Sequence, residues 1–382
     1  GKFTVYSPSH LEEVKKLYTS PAIIVSCGNS VDRIIEFCES FGFVENTDLI
    51  RIANLTPNMY TVDISSICNL RCIMCPQGLG LTNKKQAEFM SPSTFKKVVD
   101  KITAEDPYAV NIQLFQWGEP LLNKNLPEII SIAHEKGLLP SISSNLNANV
   151  DLEPIIKAKP SWFRISLSGF GPRYEVTHTG GKFPVLYEHL NNLYDLTKKY
   201  NSDTKVQVFY HLYKDNLGDD LRKAREFCET RGFEFLTTWA SIVALDELLV
   251  YKETGYLPDK LKEDAELLGF DIDRALSDAL ADAYKPCQIE KIIYIKCDLS
   301  VMDCSQFFHQ DNYKTTENFL ETPLSDIIAK KKQSKLCISC KRHGIHRYCE
   351  ICANYPTDII PAGFKQISNA TSNMGFEFDS SL

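Results

Sequence analysis

Between residues 59 and 239 the chain alternates two hydrophobic patterns. Short runs rich in β-branched and aromatic residues, at 59–65, 108–115, 139–145, 162–168, 205–213 and 233–239, read as strands. Longer segments between them repeat apolar residues at steps of three and four and read as helices. The clearest are "SPSTFKKVVDKITAE", which opens with Ser91 as N-cap and Pro92 at the first helical position, and "FPVLYEHLNNLYDLTKKY". Six strand–helix units in succession imply an α/β fold, a parallel sheet with helices outside, either open or closing into a partial barrel. Both architectures place the active site at the C-terminal ends of the strands.

The remaining segments are read by contrast with this core. Residues 1–58 hold one further unit, the strand "AIIVS" and the helix "SVDRIIEFCESFGF". Residues 59–244 form the repeating core, 245–283 a helical bridge, 284–356 a small cysteine-rich domain, and 357–382 a polar, loosely held tail.

Composition narrows the class. In 382 residues, 43% hydrophobic and 24% charged, no run approaches the ~18–20 apolar residues of a membrane span, and the first twenty residues lack a signal-peptide core. A cytoplasmic protein with no membrane partner is expected. The net charge of −7 gives no general attraction to nucleic acid, and the basic run at 329–335 reads as solvated surface.

The cysteines change the picture most. There are 13, and a reducing compartment disfavours disulfides, so metal binding is the natural use. Cys68, Cys72 and Cys75 stand together directly after the first strand, seven more lie between Cys287 and Cys352, and Cys27, Cys38 and Cys228 read as small buried apolar residues. A structural zinc ion wants four ligands, yet no fourth cysteine or histidine follows Cys75 within fifty residues. A four-iron cluster needs one ligand per iron, so three thiolates leave one iron open to a small molecule.

On these residues the chain resembles the radical S-adenosylmethionine (radical SAM) superfamily, over residues 59 to about 240. The resemblance implies a partial (βα)6 TIM-like barrel, a [4Fe–4S] cluster on Cys68, Cys72 and Cys75, and SAM chelated to the open iron. It also implies roles for the strand ends. Gly118, Glu119 and Pro120 of "WGEP" stand where the family holds the methionine amino group, with Trp117 in place of the usual first glycine. Ser144 and Asn145 end the third strand, Ser166 and Ser168 the fourth, and Asn216 follows the fifth, all candidate contacts to SAM. Met74 takes the often aromatic position beside adenine. The implied chemistry is reductive cleavage of SAM to a 5'-deoxyadenosyl radical, which abstracts a hydrogen atom from the substrate. A flavodoxin- or ferredoxin-like protein is the expected electron donor.

The second group resembles the SPASM or shorter twitch domain, which binds auxiliary iron–sulfur clusters. As a twitch domain, Cys287, Cys304, Cys337 and Cys340 make one cluster, with Leu299 where the turn normally has glycine, and Cys297, Cys349 and Cys352 are left over. As a full SPASM domain, Cys287, Cys297, Cys304 and Cys352 bind one cluster and Cys337, Cys340 and Cys349 another, lacking a final cysteine. Zinc is the alternative, since C-x2-C, x8, C-x2-C is ribbon spacing with His343 and His346 between the pairs.

The leading expectation is an enzyme of oxidoreductase or isomerase type that oxidises or epimerises a small sugar- or aminocyclitol-like molecule, with one or two auxiliary clusters assisting. A peptide-modifying maturase is the second reading, although residues 1–58 are short for a leader-binding module. A non-enzymatic iron–sulfur carrier is the third, and six units with polar strand ends argue against it. Arg173, Glu175 and His178, in the loop after the fourth strand, are candidate substrate contacts.

Overall fold

The computed structural model describes residues 10–17, 21, 23–25, 31–44, 47–51, 58–80, 88–309 and 312–353. Cys27 and the 357–382 tail lie outside them. The chain divides between residues 57 and 58. In the first unit, helices α1 (Leu11–Leu17) and α2 (Val31–Glu39) accompany strands β1 (Ile23–Val25) and β2 (Leu49–Arg51), which pair in parallel. Its core is Val25, Ile35, Cys38, Phe43 and Leu49.

The second unit is wound on one nine-stranded sheet. Its elements run β3 (Met59–Val62), α3 (Pro92–Glu105), β4 (Asn111–Gln113), α4 (Leu126–Glu135), β5 (Leu139–Ser144), α5 (Glu153–Lys157), β6 (Trp162–Leu167), α6 (Pro172–Thr177), α7 (Phe183–Lys199), β7 (Lys205–Leu212), α8 (Asp219–Arg231) and β8 (Glu234–Trp239). There follow α9 (Leu245–Thr254), α10 (Asp259–Ala265), α11 (Ile272–Ala281), β9 (Ile292–Ile295), β10 (Val301–Met302), β11 (Lys314–Thr316), α12 (Leu324–Lys332), α13 (Lys335–Arg342) and α14 (Tyr348–Ala353). Strands β3 to β8 lie side by side in chain order, all parallel, and β8 and β11 end the sheet, so the barrel is partial.

The helices form for reasons visible in their sequences. In α3 the Ser91 hydroxyl accepts from Thr94 N at 3.1 Å, Pro92 needs no partner in the first turn, and Phe95, Val98, Val99 and Ile102 make one buried stripe. Each such side chain contributes at most ~1.5–3 kcal/mol by burial. Helix α7 repeats the design with Leu186, Leu190, Leu193 and Leu196.

Strand alternation then decides what faces inward. On β6, Phe163, Ile165 and Leu167 are buried on one face, leaving Arg164 and Ser166 on the other, with Ser168 just beyond the strand. The cysteine-rich segment joins the same sheet. β9 pairs in parallel with β3 from Met59 opposite Ile292 to Val62 opposite Ile295, and β10 and β11 follow antiparallel. Cys38 and Cys228 are buried apolar residues, as their surroundings in the sequence imply.

Candidate active site

The loop after β3 carries Cys68, Cys72 and Cys75 and is fastened on several sides. Arg71 N donates to Thr179 O at 2.8 Å and Ile73 N to Thr177 O at 3.1 Å, tying it to the loop beyond β6. Met74, with φ +57°, turns its N–H to Asp264 Oδ2 at 2.9 Å. Gly78 passes so close to Cys72 that a Cβ there would stand 1.9 Å from the Cys72 carbonyl oxygen.

The three thiols are near enough to oppose one another's ionisation. Burial, then Glu119 and Cys75, pushes Cys68 up to about 12, and burial, then Cys75 and Cys68, pushes Cys72 well above the usual thiol range. Such a group binds as thiolates only where metal charge offsets the repulsion. Donors are in place for a ligating sulfur: Leu70 N lies 3.4 Å and Asn145 Nδ2 3.5 Å from Cys68 Sγ. Among the described residues no three Cys, His, Asp or Glu side chains converge on one ion. A four-iron cluster asks for a looser arrangement, because each sulfur sits on its own iron. The residues fit such a cluster.

The strand ends beyond β4 and β5 close against this loop. Glu119 N donates to Ile67 O at 2.8 Å, while its buried carboxylate accepts from Leu121 N at 3.0 Å and Asn145 N at 3.0 Å. Burial pushes it up to about 7, against the lowering effect of those N–H groups and the Ser144 hydroxyl. Asn145 also reaches Asn69 Oδ1 at 3.1 Å, and Ser144 Oγ accepts from Leu146 N at 2.9 Å. Pro120 opens a short 3-10 turn capped by Glu119. Asn216 is occupied within the fold: its amide accepts from Tyr213 N and donates to Ser168 O and His211 O, lacing β6 to β7.

A cavity of about 360 Å³ opens inside the barrel. One wall is Cys72, Met74 and Cys75, and another is Ser305, Gln306 and Cys349. Ser166, Ser168 and His178 line it as well. Arg173 and Glu175 do not: Arg173 pairs with Asp215 at 3.5 Å and Asp220 at 3.7 Å, and Glu175 with Lys182 at 3.0 Å. His178 stacks on Tyr174 with ring centres 4.3 Å apart and meets Ser168 Oγ at 3.3 Å. Burial, then the neighbouring His211, holds it down to about 3, so it is neutral.

Sequence reasoning missed Arg164, His211, Gln113, Phe115, Phe209 and Trp239, which also line the cavity. The available signal was a polar residue on the inward phase of a strand, as with Arg164 and His211.

In the second cysteine group Cys297 stands apart, while Cys349 acts on Cys340 and is acted on by Cys287. Cys287, Cys304, Cys337 and Cys340 act on one another: Cys304 is raised by burial, then by Cys287 and Cys337, with Cys340 adding, and Cys337 is raised to about 11 by burial, then Cys287. Cys337 and Cys340 share a face of α13 at i and i+3. Lys331, 4% exposed, lies beside them and hydrogen-bonds Ile292 O. Cys297 is elsewhere. Its Sγ donates to Asp63 O at 2.9 Å, and the charges raising it are Asp63, Glu88 and Asp298, after burial. Cys349 is raised to about 12 by burial, then Cys287, and Cys352 is raised by burial, then Cys349. His346 Nε2 meets Lys285 O at 2.9 Å and His343 lies 3.6 Å from Glu253, so both histidines have partners other than the cysteines. Leu299 adopts φ +69°, the conformation that favours the glycine it replaces.

Comparison with known proteins agrees with this site. Residues 62–228 match the family model described as Radical SAM superfamily. Fe-coproporphyrin III synthase of Methanosarcina barkeri is 32% identical over 108 residues, 27% of this chain and 25% of that protein. The chain thus spans about a quarter of the length of that curated relative. Among solved structures, Streptococcus suis SuiB bound to S-adenosylmethionine superposes with a TM-score of 0.52 at 13% identity, covering 94% of this chain and 86% of SuiB. BtrN in complex with AdoMet and 2-DOIA gives a TM-score of 0.44 at 16% identity, covering 82% of this chain and 98% of BtrN. Residues 62–228 are thus similar to the radical SAM superfamily, over the same stretch that carries Cys68, Cys72 and Cys75.

Proposed function

We propose that this enzyme cleaves SAM reductively and uses the resulting radical to take a hydrogen atom from a small hydroxylated molecule, oxidising or epimerising it. The observation that carries this reading is a cavity lined both by Cys72, Met74 and Cys75 and by Ser305, Gln306 and Cys349. A substrate held there lies between the two cysteine groups. When bound, the cluster on Cys68, Cys72 and Cys75 supplies the electron and the open coordination site. The chain's own residues do the rest. Glu119 and Asn145 hold the turn that faces the methionine end, neutral His178 and the Ser166 and Ser168 hydroxyls offer hydrogen bonds without a competing charge, and the barrel wall excludes water.

One auxiliary cluster on Cys287, Cys304, Cys337 and Cys340 fits the mutual electrostatics of those four thiols, and Lys331 supplies a buried positive charge beside it. Such a cluster suits removal of the second electron in an oxidation. Cys349, which lines the cavity and acts on Cys340, is then the candidate hydrogen-atom donor for epimerisation.

A peptide substrate is the second reading, because SuiB, which shares the fold, has been solved with its precursor peptide SuiA. The test is to incubate the reduced, cluster-loaded enzyme with SAM and measure 5'-deoxyadenosine. Its release supports the reading, and none above a boiled control overturns it.

A further inference from the structure

The floor of the same cavity bears on the chemistry of the substrate, given the radical SAM reading above. Arg164 enters from β6, its guanidinium 4.9 Å from the centre of the Phe115 ring and 5.1 Å from that of Phe209. Its Nε donates to Ser143 Oγ at 3.1 Å. Two aromatic faces and a hydroxyl fix the plane of the cation. Burial alone lowers it, to about 10, so it stays charged at neutral pH.

The rest of the lining gives this charge its meaning. His178 and His211 are neutral, held down to about 3 and about 4, chiefly by burial. No Asp or Glu is among the described residues that line the cavity. An amine entering there would meet a cation and no acid, whereas an oxyanion would meet a rigid, desolvated guanidinium. A second observation points to hydroxyl groups. Beside Arg164 the polar lining is uncharged, with Ser166, Thr238 and Gln306 accompanying the two neutral histidines.

We propose that the cavity takes a small hydroxylated oxyanion, a sugar or cyclitol bearing a carboxylate or phosphate, with the anionic group on Arg164 and hydroxyls on the uncharged polar side chains of the lining. This turns the small-molecule reading away from an aminocyclitol and toward an acid.

The test uses cluster-loaded, full-length enzyme with SAM and four sets of probes: carboxylates (D-glucuronate, quinate), phosphates (glucose 6-phosphate, inositol 1-phosphate), amines (glucosamine, 2-deoxystreptamine) and neutral parents (glucose, inositol). Binding is read by thermal shift and calorimetry, beside 5'-deoxyadenosine formation. The expected result is saturable binding by the carboxylates or the phosphates, whichever set responds naming the group, with half-saturation raised at least tenfold in Arg164→Gln and partly recovered in Arg164→Lys. Response to amines or neutral parents alone, silence across all four sets, or equal binding by Arg164→Gln overturns the proposal. So does an equal loss of SAM affinity in Arg164→Gln, which would put Arg164 on the SAM carboxylate instead. Absence of 5'-deoxyadenosine from the wild type, with acid binding intact, would overturn the radical reading and leave the anion site standing.

Discussion

Gly118 and Ser65 approach so closely that a Cβ on Gly118 would stand 1.7 Å from the Ser65 carbonyl oxygen. The turn after β4 is thereby pressed onto the end of β3, which places Glu119 over the cysteine loop. Gly118→Ala must push two loops apart, and we expect a loss of ~2 kcal/mol or more in denaturant stability together with loss of SAM binding. Gly137→Ala is the comparison: it has φ +75° and no atom within 4 Å of its added Cβ, so it pays backbone strain and leaves SAM binding intact.

Glu119 gives a prediction whose sign differs between two measurements. Its folded pKa of about 7 lies above the ordinary 4.5, so between those values the folded state holds a proton that the unfolded state has released. Stability of the metal-free protein therefore falls as pH rises from about 4.5 to 7, by about 3 kcal/mol at most, and stays low above that. Glu119→Gln flattens this profile and stabilises the metal-free chain at pH 8. On the proposed placement of SAM, the same variant is expected to bind SAM less tightly in the cluster-loaded enzyme, because the turn loses the carboxylate that accepts from Leu121 N and Asn145 N. Urea unfolding at pH 5 and pH 8, with SAM titration, checks both.

Asp264 acts at a distance of 190 residues in sequence by accepting the Met74 N–H. Asp264→Ala leaves that buried donor unpaired, costing about 1–3 kcal/mol and loosening the cysteine loop. SAM affinity is expected to fall about tenfold, and Asp264→Asn, which keeps an acceptor, to restore most of it. Equal affinities in wild type and Asp264→Ala would show that the loop is held without this contact.

Lys331 is the cation beside Cys287, Cys304 and Cys337. Removing it in Lys331→Met disfavours the more negative, reduced cluster. The auxiliary midpoint potential should drop by on the order of 50–100 mV, taking Coulomb's law at an effective dielectric constant of about 20. Redox titration followed by EPR measures it, and an unchanged potential contradicts the placement of the cluster.

The strands of the barrel were legible because each is a short β-branched or aromatic run bounded by turn residues, and Cys68 after the first of them located the site. The sheet's extension was not. Ile292–Ile295 is an apolar run of the same kind, but it lies inside the cysteine-rich segment, and pairing with β3 across more than two hundred residues is not encoded locally. Arg164 was hidden for a related reason: the run 162–168 identifies a strand, while the face its charge points to depends on register with β5 and β7. Cys297 read as a ligand by spacing alone, and only the fold brings its sulfur to Asp63 O, apart from the four mutually acting thiols.

Iron and sulfide per chain, counted in anaerobically reconstituted protein, test the two-cluster arrangement most directly. About 8 irons are expected in the wild type and in Cys297→Ala, and about 4 when Cys68, Cys72 and Cys75 are all changed to alanine. About 12 irons in the wild type, or loss of about 4 in Cys297→Ala, would contradict a single auxiliary cluster on Cys287, Cys304, Cys337 and Cys340, and no loss in the triple variant would contradict the SAM cluster itself.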